Sequence, residues 1–244
     1  MIEIEDLTVR FGGVTSLSEV SVRLDRPRCG LIGPNGAGKT TFFNVLSGFV
    51  TPSSGRIVAF GTDLSAMSHF RRARWGLRRT FQTEQAIETL SVFDNVAMVW
   101  EHTTGGGARR RRADRRRDVL GAIDFVSIRP DPSTKVGTLG AHDRRLVELA
   151  RAVVGAPRLI LLDEPAAGLP DAETEQMGQV IRAIPDAIGA TVILADHDMN
   201  LVSGVCEETM VLDFGQVVTS GPTAEVLRDE RVVSAYLGGE AAAS

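Results

Sequence analysis

The sequence predicts an α/β fold, and the arrangement of its apolar residues is the basis for this prediction. Two short apolar runs, residues 158–162 and 191–195, have the length of buried strands, and a helical pattern at 171–184 lies between them. Strands that alternate with helices are typical of a mainly parallel sheet flanked by helices. Residues 2–9 and 20–24 instead alternate between apolar and polar side chains, which predicts antiparallel strands with one exposed face. We therefore expect an α/β core together with an antiparallel β subdomain.

A glycine-rich stretch separates one predicted strand from one predicted helix. Residues 29–32 (CGLI) are a short, mostly apolar run, and residues 40–46 (TTFFNVL) can form a helix that ends at Ser47 and Gly48. Residues 33–40 between them read GPNGAGKT, which follows the pattern Gly-x-x-x-x-Gly-Lys-Thr. A strand, a glycine loop and a helix in this order are the context of a phosphate-binding loop, or P-loop.

The P-loop predicts binding of a nucleoside triphosphate. Its glycines allow backbone N–H groups to turn inward around phosphate oxygens, and the following helix adds the positive end of its dipole. Lys39 would reach the β- and γ-phosphates, and the hydroxyl of Thr40 would ligate Mg²⁺. An ordinary glycine-rich turn is the alternative interpretation. The predicted cofactors are ATP and Mg²⁺, and the predicted nucleotide contacts are Gly33, Pro34, Asn35, Gly36, Ala37, Gly38, Lys39, Thr40 and Thr41.

The middle of the chain differs from both ends. Residues 85–150 are predicted to form a mostly helical insert, so that the core comprises residues 1–84 and 151–244. Within the insert, Ser91 and Asp94 form a helix-start pattern in which Ser91 is the N-cap.

Three further strands are predicted in the core, at residues 56–60, 208–212 and 216–220. The last two flank the sequence Asp213-Phe-Gly215, which is typical of a hairpin turn. Two short helices are expected to complete the chain.

Composition and charge narrow the class of protein. The net charge is −4, so general affinity for nucleic acid is not expected. The sequence has no apolar run of about 18 residues, and we expect neither a membrane-spanning segment nor a secretory signal. Cys29 and Cys206 are the only cysteines, so we expect no disulfide framework or zinc site, and a reducing cytosol fits.

An acidic pair follows the apolar run at 158–162. Asp163 at the end of such a strand can hold Mg²⁺, usually through water. Glu164 would lie within reach of a water lined up on the γ-phosphate, which is the place for a general base. A solvated acidic turn is the alternative interpretation.

Two further polar residues are candidates for the same site. His197 follows the strand at 191–195, where its Nε2 could donate toward a γ-phosphate oxygen. Gln82 is a neutral amide that could touch Mg²⁺ or the attacking water. Taken alone, Gln82 is an ordinary polar residue and a lone histidine is more often structural.

Together these motifs resemble the nucleotide-binding subunit of an ATP-binding cassette (ABC) transporter, and the resemblance covers almost the whole chain. GPNGAGKT resembles the Walker A motif, LILLDE the Walker B motif, Gln82 the Q-loop glutamine and His197 the switch histidine. Phe11 resembles the aromatic residue that stacks on adenine in this family, with a core residue as the alternative. Residues 139–152 (LGAHDRRLVELARA) lie where the family's signature helix begins.

Short strings bring the resemblance closer to one group within the family. RTFQ, DEPAAGL, HDM and the ending AYLGG resemble ATPase subunits of branched-chain amino acid importers. Importers of urea and other amides share these strings. The resemblance implies ATP hydrolysis that drives import, on the cytoplasmic face of the plasma membrane. It also implies membrane-spanning permease subunits and, indirectly, a solute-binding protein as partners, and no nucleic acid.

The signature motif departs from the family pattern. The family has Leu-Ser-x-Gly-Gln where this chain has Leu139, Gly140, Ala141, His142 and Asp143. In the family, the serine hydroxyl and nearby N–H groups meet the γ-phosphate bound by the opposing subunit. Loss of one charge-assisted hydrogen bond, worth roughly 1.5–3 kcal/mol, would slow the site that this chain completes for its partner.

Two smaller departures accompany this one. Pro170 stands where the family has Asp or Asn, and Asp196 replaces the commoner Glu before the histidine. None of the departures touches this chain's own Walker A or Walker B motif. A homodimer would carry the altered signature at both of its sites. Branched-chain importers commonly use two different ATPase subunits, so the resemblance favours a heterodimer with a second ATPase subunit over a homodimer.

Three other classes of function are alternatives to transport. A soluble ABC-type switch in regulation or repair is the main alternative, although such proteins generally carry paired cassettes or a long coiled-coil insert. A scaffold that binds but does not hydrolyse nucleotide is disfavoured because Glu164 and His197 are intact. A guanine-specific GTPase lacks support because the sequence contains no Asn-Lys-x-Asp string.

A basic run lies in the predicted insert. Seven arginines occur between Arg109 and Arg117. They could meet anionic lipid head groups at the inner leaflet. The interpretation that we favour is a solvated, partly frayed helix start.

Overall fold

The computed structural model describes residues 1–103 and 112–234. The chain divides into two compact units. The first unit combines Met1–Arg72 with Ile193–Ser244, and the second unit is Ala73–Val192. Within the described ranges, no helix has both the length and the apolar character needed to cross a membrane.

Strands and helices alternate along most of the chain. The strands, numbered in chain order, are β1 (Ile2–Phe11), β2 (Val14–Leu24), β3 (Arg28–Ile32), β4 (Ser54–Ala59), β5 (Thr62–Asp63), β6 (Leu77–Arg79), β7 (Leu159–Asp163), β8 (Thr191–Ala195), β9 (Glu208–Asp213) and β10 (Gln216–Pro222). The α-helices are α1 (Lys39–Ser47), α2 (His69–Trp75), α3 (Val92–Thr103), α4 (Arg112–Phe125), α5 (Ala141–Val153), α6 (Asp171–Ile188), α7 (Met199–Val205) and α8 (Thr223–Val226). One turn of 3₁₀ helix covers Val136–Thr138.

The first unit contains the predicted antiparallel sheet. Its strand order is β2-β1-β4-β5, and the pairs β1–β2, β1–β4 and β4–β5 are all antiparallel. Ile4 of β1 lies opposite Val22 of β2 and Ile57 of β4, and all three side chains are buried. The alternation of apolar and polar residues in the first two strands therefore marks the buried face, as expected.

Three strands of the first unit, β3, β9 and β10, pair in mixed orientation. Strand β9 pairs in parallel with β3 and antiparallel with β10. Residues 29–32 of β3 are all buried, as expected of a parallel strand that is covered on both faces. The turn between β9 and β10 is the predicted hairpin at Asp213 to Gly215, and it lies next to the P-loop in this unit.

The second unit is mainly helical around one parallel pair of strands. Strand β6 pairs with β7, with Arg79 opposite Leu161, and β7 is buried along its whole length. Helix α3 begins as predicted, because the N–H of Asp94 donates to the Ser91 hydroxyl at 3.0 Å and that hydroxyl donates to the Asp94 carboxylate at 2.6 Å. Helix α3 packs against α4, where Trp100 Nε1 donates to Asp118 at 3.0 Å.

Part of the arginine run takes part in this packing. Arg115 pairs with Glu101 at 2.8 Å, and its guanidinium lies 5.3 Å from the centre of the Phe93 ring. Arg117 is exposed and pairs with Asp118 at 2.9 Å. The first three arginines of the run and the AYLGG string lie outside the described residues. Residues 230–234, after α8, are helical.

The structure differs from the sequence predictions at two places. Helix α6 continues to Ile188 instead of ending at residue 184, and it contains Pro185. The last turn is closed by Gly189, whose N–H donates to the Pro185 carbonyl at 2.8 Å. Helix α2 and strand β6 were not predicted, because the sequence between β5 and Gln82 has many arginines and no clear apolar period.

A buried arginine joins the helices of the first unit. Arg72 of α2 is 1% exposed. Its guanidinium donates to the carbonyl of Val45 at 2.5 Å and of Leu46 at 2.8 Å, both at the end of α1. It also donates to the carbonyls of Leu64 at 2.6 Å and Met67 at 3.0 Å. Arg72 therefore satisfies carbonyl groups that a helix end leaves without intrahelical partners.

We predict that Arg72→Met lowers the free energy of unfolding by about 3 kcal/mol, because buried carbonyls lose their donors. Arg71 is exposed, and Arg71→Met is the matched control, with an expected change of about 0.5 kcal/mol or less. Urea unfolding followed by circular dichroism measures both. Similar changes in the two variants would contradict the structural role of Arg72.

Candidate functional site

The P-loop, residues 33–40, joins β3 to α1 in the first unit. Gly33 has φ 153°, and a Cβ atom at this position would lie 2.1 Å from the carbonyl oxygen of Leu212 in β9. Any side chain would therefore force the loop and β9 apart. At Gly38, with φ 104°, a Cβ would lie 2.9 Å from the carbonyl oxygen of Ser16. The two glycines that begin and end the loop permit close backbone approach to its neighbours.

The hairpin between β9 and β10 holds the other side of the loop. The N–H of Gly215 donates to the Ala37 carbonyl at 3.0 Å, and the Gly215 carbonyl accepts from the N–H of Ser18 at 2.9 Å. The hydroxyls of Ser16 and Thr41 are hydrogen-bonded at 2.8 Å. The loop is thus fixed by strand β2 and the hairpin together.

Positive charge and N–H donors meet at this loop. The Lys39 ammonium donates to the carbonyl of Gly33 and, at 3.1 Å, to that of Pro34, so it curls back over the loop. No side chain caps the start of α1 at Gly38, and Thr40 in the first turn is exposed. A helix N-terminus with an adjacent ammonium is suited to bind phosphate.

Phe11 and His197 lie in the same unit as the loop. Phe11 ends β1 and is 51% exposed, so it is not a core residue. The side chain of His197 is 67% exposed, and its Nδ1 is 3.7 Å from Oδ1 of Asp196. The carboxylate of Asp198 caps α7, accepting from the N–H groups of Asn200 at 2.8 Å and Leu201 at 3.2 Å. His197 therefore lies directly before a capped helix.

The acidic pair lies in the second unit. Asp163 is the last residue of β7 and is buried. Its N–H donates to the Thr80 hydroxyl at 3.0 Å, and its carboxylate accepts from Arg79 at 3.0 Å. Glu164 follows with φ 49°, a left-handed conformation that non-glycine residues adopt rarely and often at functional sites.

The segment that contains Gln82 is attached to α5. Gln82 itself is exposed. The salt bridge between Glu84 and Arg144 measures 2.9 Å, and the N–H of Gln85 donates to Glu148 at 3.0 Å. These contacts link the Gln82 segment to the helix that follows the signature loop.

The signature loop leads into α5. Gly140 is the N-cap of that helix, with φ −65° and no side-chain cap. A Cβ atom at Gly140 would have no neighbour within 4 Å. His142 is half-buried in the first turn of α5, and its Nε2 is a buried atom without a hydrogen-bond partner. Pro170 is the N-cap of α6 and provides no side-chain cap.

The predicted site residues fall into two groups. Residues 33–41, Phe11 and His197 belong to the first unit, and Gln82, Asp163 and Glu164 belong to the second. Sequence reasoning did not find Arg79 or Thr80, although both lie in the RTFQ string, because a basic residue and a threonine beside an acidic strand end have no motif of their own.

The predicted metal ligands are, taken one by one, oxygen donors of the kind that Mg²⁺ prefers. The hydroxyl of Thr40, the amide oxygen of Gln82 and the carboxylate of Asp163 are hard oxygen ligands, and Mg²⁺ is usually held by one or two such groups together with substrate phosphates and water. In the described part of the chain, no group of three or more His, Cys, Asp or Glu side chains could hold a metal ion.

Comparison with known proteins decides the family. The family model "ABC transporter" matches residues 17–167. This chain belongs to the ABC transporter family. A second model, "Branched-chain amino acid ATP-binding cassette transporter", matches residues 216–242. The recognition of the family from its motifs is confirmed, and the chain is an ABC ATPase.

Individual relatives extend over most of the chain. The high-affinity branched-chain amino acid transport ATP-binding protein LivG of Salmonella typhimurium is 31% identical over 249 residues, which cover 98% of each protein. The lipopolysaccharide export system ATP-binding protein LptB of Acidithiobacillus ferridurans is 36% identical over 209 residues, covering 86% of this chain and 84% of that protein.

A solved structure confirms the fold. The ATP-binding cassette MJ1267 of an ABC transporter has a TM-score of 0.85 and 24% sequence identity, and the match covers 97% of this chain and 98% of that one. At this identity the likeness concerns the fold, which is the predicted α/β P-loop core with mixed and antiparallel sheets and helices.

We predict that Gly33→Ala lowers the free energy of unfolding by about 2 kcal/mol or more, because the new Cβ would overlap the Leu212 carbonyl. Gly36 also has a positive φ, 82°, but nothing lies within 4 Å of a Cβ there. Gly36→Ala should therefore cost only backbone strain, about 1 kcal/mol. Urea unfolding of both variants measures the difference. Equal losses would show that the approach of the loop to β9 is not a constraint.

Proposed function

We propose that this ABC ATPase hydrolyses ATP to drive import of branched-chain amino acids or a similar small polar solute. The P-loop supports the first half of the proposal, because its N–H groups, helix N-terminus and Lys39 suit a polyphosphate. The second half is supported by the likeness to LivG over 98% of both chains and by the match of residues 216–242 to the branched-chain amino acid model.

Each candidate residue has a role in this proposal. Lys39 and the loop N–H groups hold the β- and γ-phosphates, and Phe11 stacks on adenine. Thr40 and Asp163 hold Mg²⁺, the latter through water, and Gln82 contacts the metal or the attacking water. Bound Mg²⁺ supplies positive charge to the phosphates.

Glu164 and His197 are the proposed catalytic residues. The carboxylate of Glu164 accepts the proton of the attacking water as a general base. The Nδ1 of His197 faces Asp196, so Nε2 on the opposite side of the ring is the nitrogen that donates to the γ-phosphate.

We further propose that the ATPase works as one half of a dimer attached to membrane-spanning permease subunits, on the cytoplasmic face of the plasma membrane. Residues 85–150 would form the insert that carries the signature-like loop, beside a core of residues 1–84 and 151–244. A solute-binding protein would deliver the solute to the permease. Because Gly140 has no side chain to donate to the opposing phosphate, a second ATPase subunit with an intact signature is favoured over a second copy of this chain.

Lipopolysaccharide export and a soluble ATP-dependent switch are the two alternative functions. The 36% identity to LptB makes lipopolysaccharide export one alternative function. That match covers a smaller part of each chain than the match to LivG does. A soluble switch has no permease. Genes for a permease and a binding protein beside the gene for this chain would favour import over both alternatives.

We predict that Lys39→Ala weakens binding of a fluorescent ATP analogue by at least tenfold, because the phosphates lose the ammonium that meets them. The only other lysine is Lys135, and Lys135→Ala is the matched control with unchanged affinity. Fluorescence titration in the presence of Mg²⁺ measures both. Unchanged affinity of the Lys39→Ala variant would refute the placement of ATP at this loop.

The unusual signature predicts unequal sites in a heterodimer. In the reconstituted transporter, Glu164→Gln should reduce ATP turnover by roughly a hundredfold, because the shape of the side chain survives but its basicity is lost. The equivalent change in the partner should have a much smaller effect, since this chain's signature supports only slow hydrolysis there.

Restoring the signature provides the matched test. Gly140 has an ordinary φ and open space around its Cβ position, so Gly140→Ser combined with His142→Gly should fold normally. In the Glu164→Gln background, this double change should raise the residual turnover about tenfold. Equal losses from the two glutamine variants, or brisk hydrolysis by this chain as a homodimer, would contradict the asymmetry.

A further inference from the structure

Arg79 makes a buried ion pair with Asp163 inside the second unit. Its Nη2 donates to Oδ2 of Asp163 at 3.0 Å, and the two side chains are only 4% and 7% exposed. Burial lowers the pKa of the Arg79 guanidinium, and the hydrogen bond to Asp163 opposes that effect. A buried pair of this kind is weak evidence for stability, because removing both charges from water offsets much of their attraction. Its presence therefore invites a functional explanation.

The pair belongs to a rigid frame of short strands. Strand β6 places Arg79 opposite Leu161, two residues before Asp163. The next residue of the chain, Thr80, donates its N–H to the Leu161 carbonyl at 2.9 Å and accepts the N–H of Asp163 at 3.0 Å through its hydroxyl. The backbone of Asp163 is held by Thr80, and its carboxylate is held by Arg79.

The frame extends toward Gln82. The Phe81 ring lies over the Arg79 guanidinium, 4.8 Å from ring centre to the guanidinium carbon. A cation against an aromatic face is attractive, more so where water is excluded. The residue immediately before Gln82 is therefore in contact with the group that holds Asp163.

We propose that Arg79 is a positioning residue for Mg²⁺: its guanidinium binds Oδ2 of Asp163 and so fixes the orientation in which this carboxylate would serve a bound metal. The inference rests on the proposed function, in which Asp163 serves Mg²⁺. Through its contact with Phe81, the same guanidinium holds the segment that contains Gln82 beside Asp163.

The neighbouring arginine shows that burial on β6 does not require an acidic partner. Arg78 is also buried, at 7% exposed. Its guanidinium donates to the backbone carbonyls of Ala73 at 2.6 Å and Leu77 at 3.0 Å. Arg78 and Arg79 thus form a natural pair of variants: both remove a buried guanidinium from the same strand, and only one touches the carboxylate.

The test separates Mg²⁺ dependence from stability. Binding of a fluorescent ATP analogue to the full chain is measured in EDTA and across a Mg²⁺ titration, for wild type, Arg79→Gln, Arg79→Lys and Arg78→Gln, together with the free energy of unfolding. In EDTA, all four proteins should bind the analogue within about twofold of one another, since the phosphates contact the P-loop.

The Mg²⁺ titration decides the proposal. Arg79→Gln should raise the half-saturating Mg²⁺ concentration at least tenfold, because glutamine is neutral and shorter than arginine. Arg79→Lys, which keeps the charge but offers one ammonium, should raise it about threefold and so partly rescue the function. Arg78→Gln should be destabilised and keep the wild-type Mg²⁺ midpoint.

Other outcomes overturn the inference. An unshifted Mg²⁺ midpoint in Arg79→Gln would make the pair purely structural, and a lower midpoint would mean that the guanidinium competes with the metal. If Arg79→Gln does not fold, an unshifted midpoint in Arg79→Lys is equally decisive against the proposal. A wild-type protein that does not bind the analogue at all would instead refute the proposed function.

Discussion

The first unit depends on the close approach of the P-loop to strand β9. Gly33 brings the loop backbone so near the Leu212 carbonyl that no Cβ atom fits between them, and Gly215 of the following hairpin bonds to Ala37 in the middle of the loop. Strand β9 in turn pairs with β3, which leads into the loop. The loop is therefore held at its start and its middle by neighbouring strands, and α1 begins from a fixed point. A preorganised set of N–H donors avoids the cost of ordering them when phosphate binds.

In the second unit, hydrogen bonds fix the acidic residue Asp163 much as the P-loop is fixed in the first. Asp163 is fixed at its N–H by Thr80 and at its carboxylate by Arg79. The backbone at Glu164 turns through a left-handed conformation directly after the strand. In the proposed function, Asp163 would serve the metal and Glu164 would accept a proton.

Much of the fold was predictable from local pattern, and two of the exceptions share a cause. Strands β1, β7 and β8 and helix α1 each carry a clear apolar period or run that tertiary packing reinforces. Helix α2 and strand β6 carry arginines where an apolar residue would be expected. Arg72 is buried because backbone carbonyls from α1 converge on it, a long-range arrangement that no sequence window contains. Helix α6 is a third exception, because it continues past residue 184 and through Pro185 to Ile188.

The candidate site was predictable as far as its residues belong to motifs. The loop at 33–40, Asp163, Glu164 and His197 were all found from spacing and context, and their roles remain proposals. Arg79 could not be found, since its significance lies in a contact with a residue 84 positions away. The exposure of Phe11 likewise required the structure, because the sequence left a core residue as the alternative.

A crystal structure of the full chain carrying Glu164→Gln, grown with ATP and Mg²⁺, would test most directly whether the P-loop is a preorganised phosphate cradle. We expect the β- and γ-phosphates within hydrogen-bond distance of the N–H groups of residues 35–40. The Lys39 ammonium should have moved from the Gly33 carbonyl to the phosphates, while the contact of Gly33 with Leu212 is unchanged. A nucleotide bound elsewhere, or a loop that separates from β9 to admit the phosphates, would contradict this view of the protein.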